Sequence, residues 1–205
     1  MYRVRLGLAA GLVGTVVALV VVLSRPPLVV AGSNNVTANF GITFTKGSET
    51  ICQPGGTLPR GTRAIRVSLS PNIGPKVDLK VTAGTKVITE GERDAGWGVD
   101  ETVTVSVKRV AQTASNTQIC TKIGPAVEGV QVNGQRVEVG GRPAIWLRME
   151  YLRPGQSSWL SLLPSIAHRM GLAHAPGGTW VAYLTILVML AVAGLASRLV
   201  LRELR

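Results

Sequence analysis

Two uncharged apolar runs, one near each end, constrain this chain more than anything between them. Leu6–Leu23 is LGLAAGLVGTVVALVVVL and Trp180–Ser197 is WVAYLTILVMLAVAGLAS, eighteen residues each. As helices they would reach about 27 Å, close to the hydrocarbon thickness of a bilayer. The pattern predicts transmembrane helices over 6–23 and 180–197, with 1–5 and 198–205 as short ends. Arg3 and Arg5 precede the first run and Arg198, Arg202 and Arg205 follow the second, whereas the inner flanks carry Arg25 and Arg169. Positive-inside bias then puts both termini in the cytoplasm and the middle outside the cell membrane. A rival reading makes the first run a signal peptide cleaved after Val29-Val30-Ala31, although eighteen apolar residues exceed the usual core of such a peptide. Either reading leaves the middle extracytoplasmic.

The cysteine usage fits that compartment. Cys52 and Cys120 are the only two, each next to an isoleucine in a strand-like stretch. One disulfide joining two strands is expected, with two buried free thiols as the alternative. Two cysteines so far apart, without paired histidines, do not make a metal site. No cofactor is expected either.

The net charge of +11 does not indicate nucleic-acid binding. Five of the basic residues are the terminal arginines already counted, and the rest are spread without a dense run. What remains favours anionic headgroups, phosphorylated lipid carriers or acidic polysaccharide as partners.

Between the ends, period-two alternation recurs. Ile65, Val67 and Leu69 alternate with Arg66, Ser68 and Ser70, and Val77, Leu79 and Val81 with Asp78, Lys80 and Thr82. Val103, Val105 and Val107 follow the same rule, as do Phe40, Ile42 and Phe44, and Ile145, Leu147 and Met149. Shorter candidates are 86–89, 118–122, 129–132 and 135–139, the last two joined by an Asn133-Gly134 turn of type I′. Half-solvated alternation describes antiparallel sheet, and a sheet with one apolar face needs a second layer. An extracytoplasmic β-sandwich over 34–155 is predicted, with a jelly roll favoured over an immunoglobulin-like sandwich and a flattened barrel as the alternative.

After Pro154-Gly155 the period changes. Trp159, Leu163, Ile166 and Met170 share a side of a short amphipathic helix over 157–172, interrupted or bent at Pro164. With Arg169, which could reach a phosphate, they are expected to form a juxtamembrane or partner-binding seam; a cap on the sandwich is the plain alternative.

Catalysis has little support in the sequence. His168 and His174 lie in the juxtamembrane segment, and no metalloprotease, nucleophile-elbow or phosphate-loop motif occurs. Glu90, Glu92, Asp94, Asp100 and Glu101 cluster around one loop and could supply a glycosidase pair, but acidic loops are more often simply solvated. The non-catalytic reading of that loop is more specific. Trp97 sits between glycines beside Arg93 and Asp94, and Trp146 lies on the polar-facing side of its strand near Arg148 and Glu150. Displayed rings beside charged groups suit a sugar face and its hydroxyls, so Trp97, Arg93, Asp94 and Trp146 are the candidate ligand contacts. The competing reading packs one or both rings into the sandwich.

The stretch Glu150-Tyr151-Leu152-Arg153-Pro154-Gly155, Ser158-Trp159-Leu160 and Leu163 to Leu172 before the terminal apolar run resembles a group of actinobacterial membrane proteins. Ile51-Cys52-Gln53, Leu58 to Thr62 and Ile119-Cys120 fit the same pattern. The resemblance implies a double-anchored protein of a bacterial plasma membrane. It further implies an envelope protein associated with polyprenyl-phosphate-dependent membrane glycosyltransferases or with polysaccharide assembly. Two anchors holding a compact outer domain fit a non-catalytic accessory subunit of such a complex, whose sandwich binds glycan or glycolipid and whose partner is a larger integral membrane protein, such as a polyprenyl-phosphate-dependent glycosyltransferase. The resemblance transfers no catalytic residue. A purely structural subunit that binds no sugar is the alternative from another functional class.

Overall fold

The computed structural model describes residues 2–44, 48–98, 102–126 and 129–169, with single positions at 184, 187, 188, 191 and 194. The chain divides into two compact units, Leu28–Pro154 and the two flanks Met1–Pro27 with Gly155–Arg205.

The central unit is a jelly-roll-like β-sandwich. Its strands are β1 (Leu28–Ser33), β2 (Phe40–Phe44), β3 (Glu49–Leu58), β4 (Ala64–Val67), β5 (Leu69–Pro71) and β6 (Val77–Ala83). They continue with β7 (Lys86–Arg93), β8 (Val103–Val107), β9 (Ala114–Ile123), β10 (Val130–Val139), β11 (Arg142–Leu147) and β12 (Met149–Pro154). The larger sheet runs β1-β12-β4-β8-β7-β6-β9-β3, and the smaller runs β11-β10-β2, with β5 also paired to β10. Every described ladder is antiparallel.

The alternating apolar residues form one core between the sheets. Ile65, Val67, Leu79, Val105, Ile119 and Tyr151 enter it from the larger sheet, and Leu69, Val130, Val132 and Leu147 from the smaller. Removing such side chains from water is worth about 1.5–3 kcal/mol each. That gain selects the register, because a one-residue slip would turn Lys80 or Arg66 inward.

Two strands pass from one sheet to the other. The chain crosses at Ser68, between β4 and β5, and at Arg148, between β11 and β12. Three backbone bonds tie the crossings together: Ser68 N–H to Arg148 O at 3.1 Å, Asn133 N–H to Ser68 O at 3.2 Å, and Arg148 N–H to Asn133 O at 3.3 Å. Asn34 donates from Nδ2 to Leu147 O at 2.7 Å and accepts Met149 N–H on Oδ1 at 3.0 Å. The buried Gln53 grips Leu147 in the same way, with Nε2 to O at 2.7 Å and N–H to Oε1 at 2.5 Å. A side-chain amide therefore replaces a ladder partner where the strand leaves its sheet, and no backbone group at Leu147 is left wanting.

The Asn133-Gly134 turn is corrected. β10 runs straight through it, and a Cβ at Gly134 would lie 1.9 Å from Trp146 O. The glycine serves a close strand approach, not a reversal. The hairpin between β10 and β11 turns instead at Gly140 and Gly141, whose φ values of 59° and 75° suit a type I′ turn.

Cys52 and Cys120 form the expected disulfide, with an S–S distance of 2.06 Å. They face each other across β3 and β9. Both alternate with core residues, so the bond lies on the outer face of the larger sheet.

In the other unit, α1 spans Tyr2–Leu23 and α2 spans Trp159–Arg169. The two expected membrane anchors are corrected: among the described residues, no helix is long and apolar enough to cross a membrane. α1 covers the first apolar run. Of 180–197, only single positions belong to the described residues. The two-anchor topology, the cytoplasmic termini and the plasma-membrane localisation that rested on the anchors fall with them.

Candidate functional site

The two candidate tryptophans occupy different environments. Trp97 is 8% exposed and belongs to the core. Its indole N–H donates to Pro75 O at 2.7 Å. The ring lies against Gly74, where a Cβ would come within 2.0 Å of it. Gly74 N–H donates to Trp97 O at 2.9 Å and Gly96 N–H to Gly74 O at 2.8 Å, so the two loops clamp the ring between them. A ring so placed has no face to offer a sugar, and Trp97 as a displayed platform is corrected. Arg93 and Asp94 are exposed at the end of β7 and just after it.

Two carboxylates of the same region are engaged with lysines. Glu90 accepts from Lys108 Nζ at 2.6 Å and Glu92 from Lys76 Nζ at 2.7 Å. The Lys108 hydrogen bond, and then its charge, hold the Glu90 carboxyl below the usual carboxylate range. A glycosidase acid needs the opposite shift. Asp100 and Glu101 lie outside the described residues.

Trp146 is half-buried and lines a groove at the open edge of the sandwich. There β3, the last strand of the larger sheet, faces β11, the last of the smaller. The groove measures about 460 Å³ and is walled by Glu49, Thr50 and Ile51 on one side and by Arg136, Val139 and Trp146 on the other. The Gln53–Leu147 clasp joins these same two strands. Arg136 is positioned by a cation–π contact, its guanidinium carbon 4.8 Å from the centre of the Phe40 ring. An aromatic residue, a guanidinium, a carboxylate and a hydroxyl thus border one apolar-floored concavity of ligand-binding size.

Trp146 does not act with Arg148 and Glu150, although all three share one period-two face in the sequence. The change of sheet at Arg148 separates them, and the latter two border a different cavity. No local pattern marks the edge groove, because β3 and β11 lie far apart in the chain. The only local signal was a tryptophan out of step with its apolar neighbours.

The seam residues lie on α2. Trp159 is 43% exposed, Leu163 and Ile166 are half-buried, and Arg169 is exposed. Met170 and His174 lie outside the described residues. Pro164 falls inside the helix. Trp159 N–H donates to Arg25 O at 3.4 Å, joining the two flanks of this unit.

No family model matches the chain, and no curated protein matches it. Among solved structures, TmCBM61 in complex with β-1,4-galactotriose is 14% identical, covers 65% of this chain and 92% of its own, and has a TM-score of 0.34. CsCBM6-3 from Clostridium stercorarium in complex with cellobiose is 5% identical over 54% of this chain and 84% of its own, with a TM-score of 0.28. The Stig cyclase Fisc from Fischerella sp. is 14% identical over 54% and 59%, with a TM-score of 0.32. Likenesses this slight assign no function.

Proposed function

We propose that the sandwich is a non-catalytic glycan-binding module whose ligand lies in the edge groove. The observation that carries this reading is Trp146, half-exposed at the groove wall between Arg136 and the β3 residues Glu49 and Thr50. The ring would stack on a sugar face while the charged and hydroxyl groups bond its hydroxyls. The partner expected from the tail resemblance, a polyprenyl-phosphate-dependent glycosyltransferase, would be the source of the captured glycan, and this chain its accessory subunit.

The reading is tested by titrating galactotriose, cellobiose and xylotriose into the full chain by calorimetry, with wild type and Trp146→Ala. Binding of at least one probe, weakened about tenfold by the substitution, is expected from the usual worth of an aromatic contact. Silence from all three probes would favour the structural subunit that binds no sugar.

A further inference from the structure

The corner where the chain changes sheets carries a second cavity, of about 470 Å³, on the side away from the core. Three period-two polar faces converge on it. Arg66, Ser68 and Ser70 come from β4, the first crossing and β5; Gln131 and Asn133 from β10; Arg148 and Glu150 from the second crossing and β12. Each of these residues alternates with core residues, so the packing that builds the sandwich also turns their side chains outward together.

The charges are arranged asymmetrically. Arg66 and Glu150 face each other across β4 and β12, with Nη1 to Oε2 at 3.2 Å. Arg148 Nη2 reaches the other carboxylate oxygen at 3.0 Å. Glu150 therefore holds two guanidiniums side by side and neutralises only one, which leaves the lining one positive charge in excess. Each guanidinium has five N–H donors in a fixed fork, and one donor of each is used in these ion pairs. The carboxylate is the most buried of the three, its side chain 19% exposed against 37% for Arg66 and 48% for Arg148. It is thus the anchor, and the arginines form the accessible rim. Around them stand hydroxyl and amide groups that can each donate or accept a hydrogen bond.

We infer that this corner cleft is a second binding site, for a small hydroxylated molecule that carries an oxyanion group, such as an acidic sugar. The paired arginines take the oxyanion, carboxylate or phosphate, and Ser70, Gln131 and Asn133 take the hydroxyls. The site is separate from the Trp146 groove and does not depend on it.

The test is calorimetric titration of the full chain with glucuronate, glucose 6-phosphate and glucose at low ionic strength. At least one of the two acids is expected to bind at least tenfold more tightly than glucose, and less tightly as salt is raised. The two acids distinguish a carboxylate from a phosphate site. Arg148→Gln, at an exposed side chain, should leave the melting temperature in place and weaken the acid tenfold or more. Glu150→Gln, which removes the resident competitor for both arginines, should tighten it severalfold, and Trp146→Ala should change nothing. Failure of both acids to bind, equal binding of glucose, or undiminished binding in Arg148→Gln would overturn the inference. A drop in melting temperature in Arg148→Gln without any acid binding in wild type would show the cluster to be only a brace between β4 and β12.

Discussion

Trp97 and Trp146 look like two versions of one feature and occupy two different environments. Trp97 stands between glycines in a charged loop and is nonetheless enclosed, its N–H bonded to Pro75 O and its ring laid on Gly74. Trp146 stands inside a strand, where enclosure would be the ordinary expectation, and it lines an open groove. The difference lies in what faces each ring. A residue with no side chain, over twenty positions upstream, makes the bed for Trp97, whereas two strand ends belonging to different sheets leave a gap beside Trp146. Flanking sequence describes how freely a tryptophan can be displayed; the surface opposite decides whether it is.

Substitution of the two rings should separate them sharply. Trp97→Ala opens a cavity in the core and is expected to cost about 3–5 kcal/mol, visible as a large fall in the denaturation midpoint. Loss of less than about 1 kcal/mol would mean that the ring is not core at all. Removing the Cys52–Cys120 bond, by reduction or by paired serine substitution, should cost about 2–4 kcal/mol because it frees a long loop in the unfolded chain. Since Cys52 lies on β3, a wall of the Trp146 groove, it should also weaken any ligand held there. Gly74→Ala approaches the Trp97 ring from the other side and should cost about 1–3 kcal/mol by overpacking. No comparable penalty is expected from Gly98→Ala, where the added carbon meets open space.

Tyr151→Phe should have a smaller effect at neutral pH, about 1 kcal/mol for the hydrogen bond that the hydroxyl donates to Gly55 O. Burial raises the Tyr151 phenol above its ordinary range. A raised pKa means that its contribution is fully present below about pH 10, where the unfolded phenol is still neutral, and is lost as the pH rises further. Wild type should therefore lose more stability than Tyr151→Phe in alkaline denaturation series, and parallel curves would contradict the assignment. The smallest change in stability, within about 1 kcal/mol, is expected for Trp146→Ala, whose ring is only half-buried.

The sandwich was legible because burial writes a period of two into the chain. Ile65, Val77, Val103 and Ile145 each head a run whose alternate residues enter the core. Misreadings arose where the reason for a residue lay elsewhere in the fold. Asn133-Gly134 resembles a turn, but Gly134 is small because Trp146 O approaches it. Gly96-Trp97-Gly98 resembles a displayed ring, but Gly74 receives it. The apolar run at 6–23 predicts a helix, which α1 forms, whereas among the described residues no helix is long and apolar enough to cross a membrane. Of the candidate site, Trp146 could be picked out from its strand, whereas Glu49, Thr50 and Arg136 could not, since only the meeting of β3 with β11 makes them neighbours.

The central claim, that Trp146 and not Trp97 meets a glycan, is tested most directly by the indole N–H resonances of the full chain. The four tryptophans are assigned by single substitution to phenylalanine, and galactotriose, cellobiose and xylotriose are titrated in turn. The account predicts that the Trp146 signal shifts saturably with at least one probe while the Trp97 signal stays fixed. A Trp97 signal that moves while that of Trp146 does not, or no movement with any of the three, would contradict it.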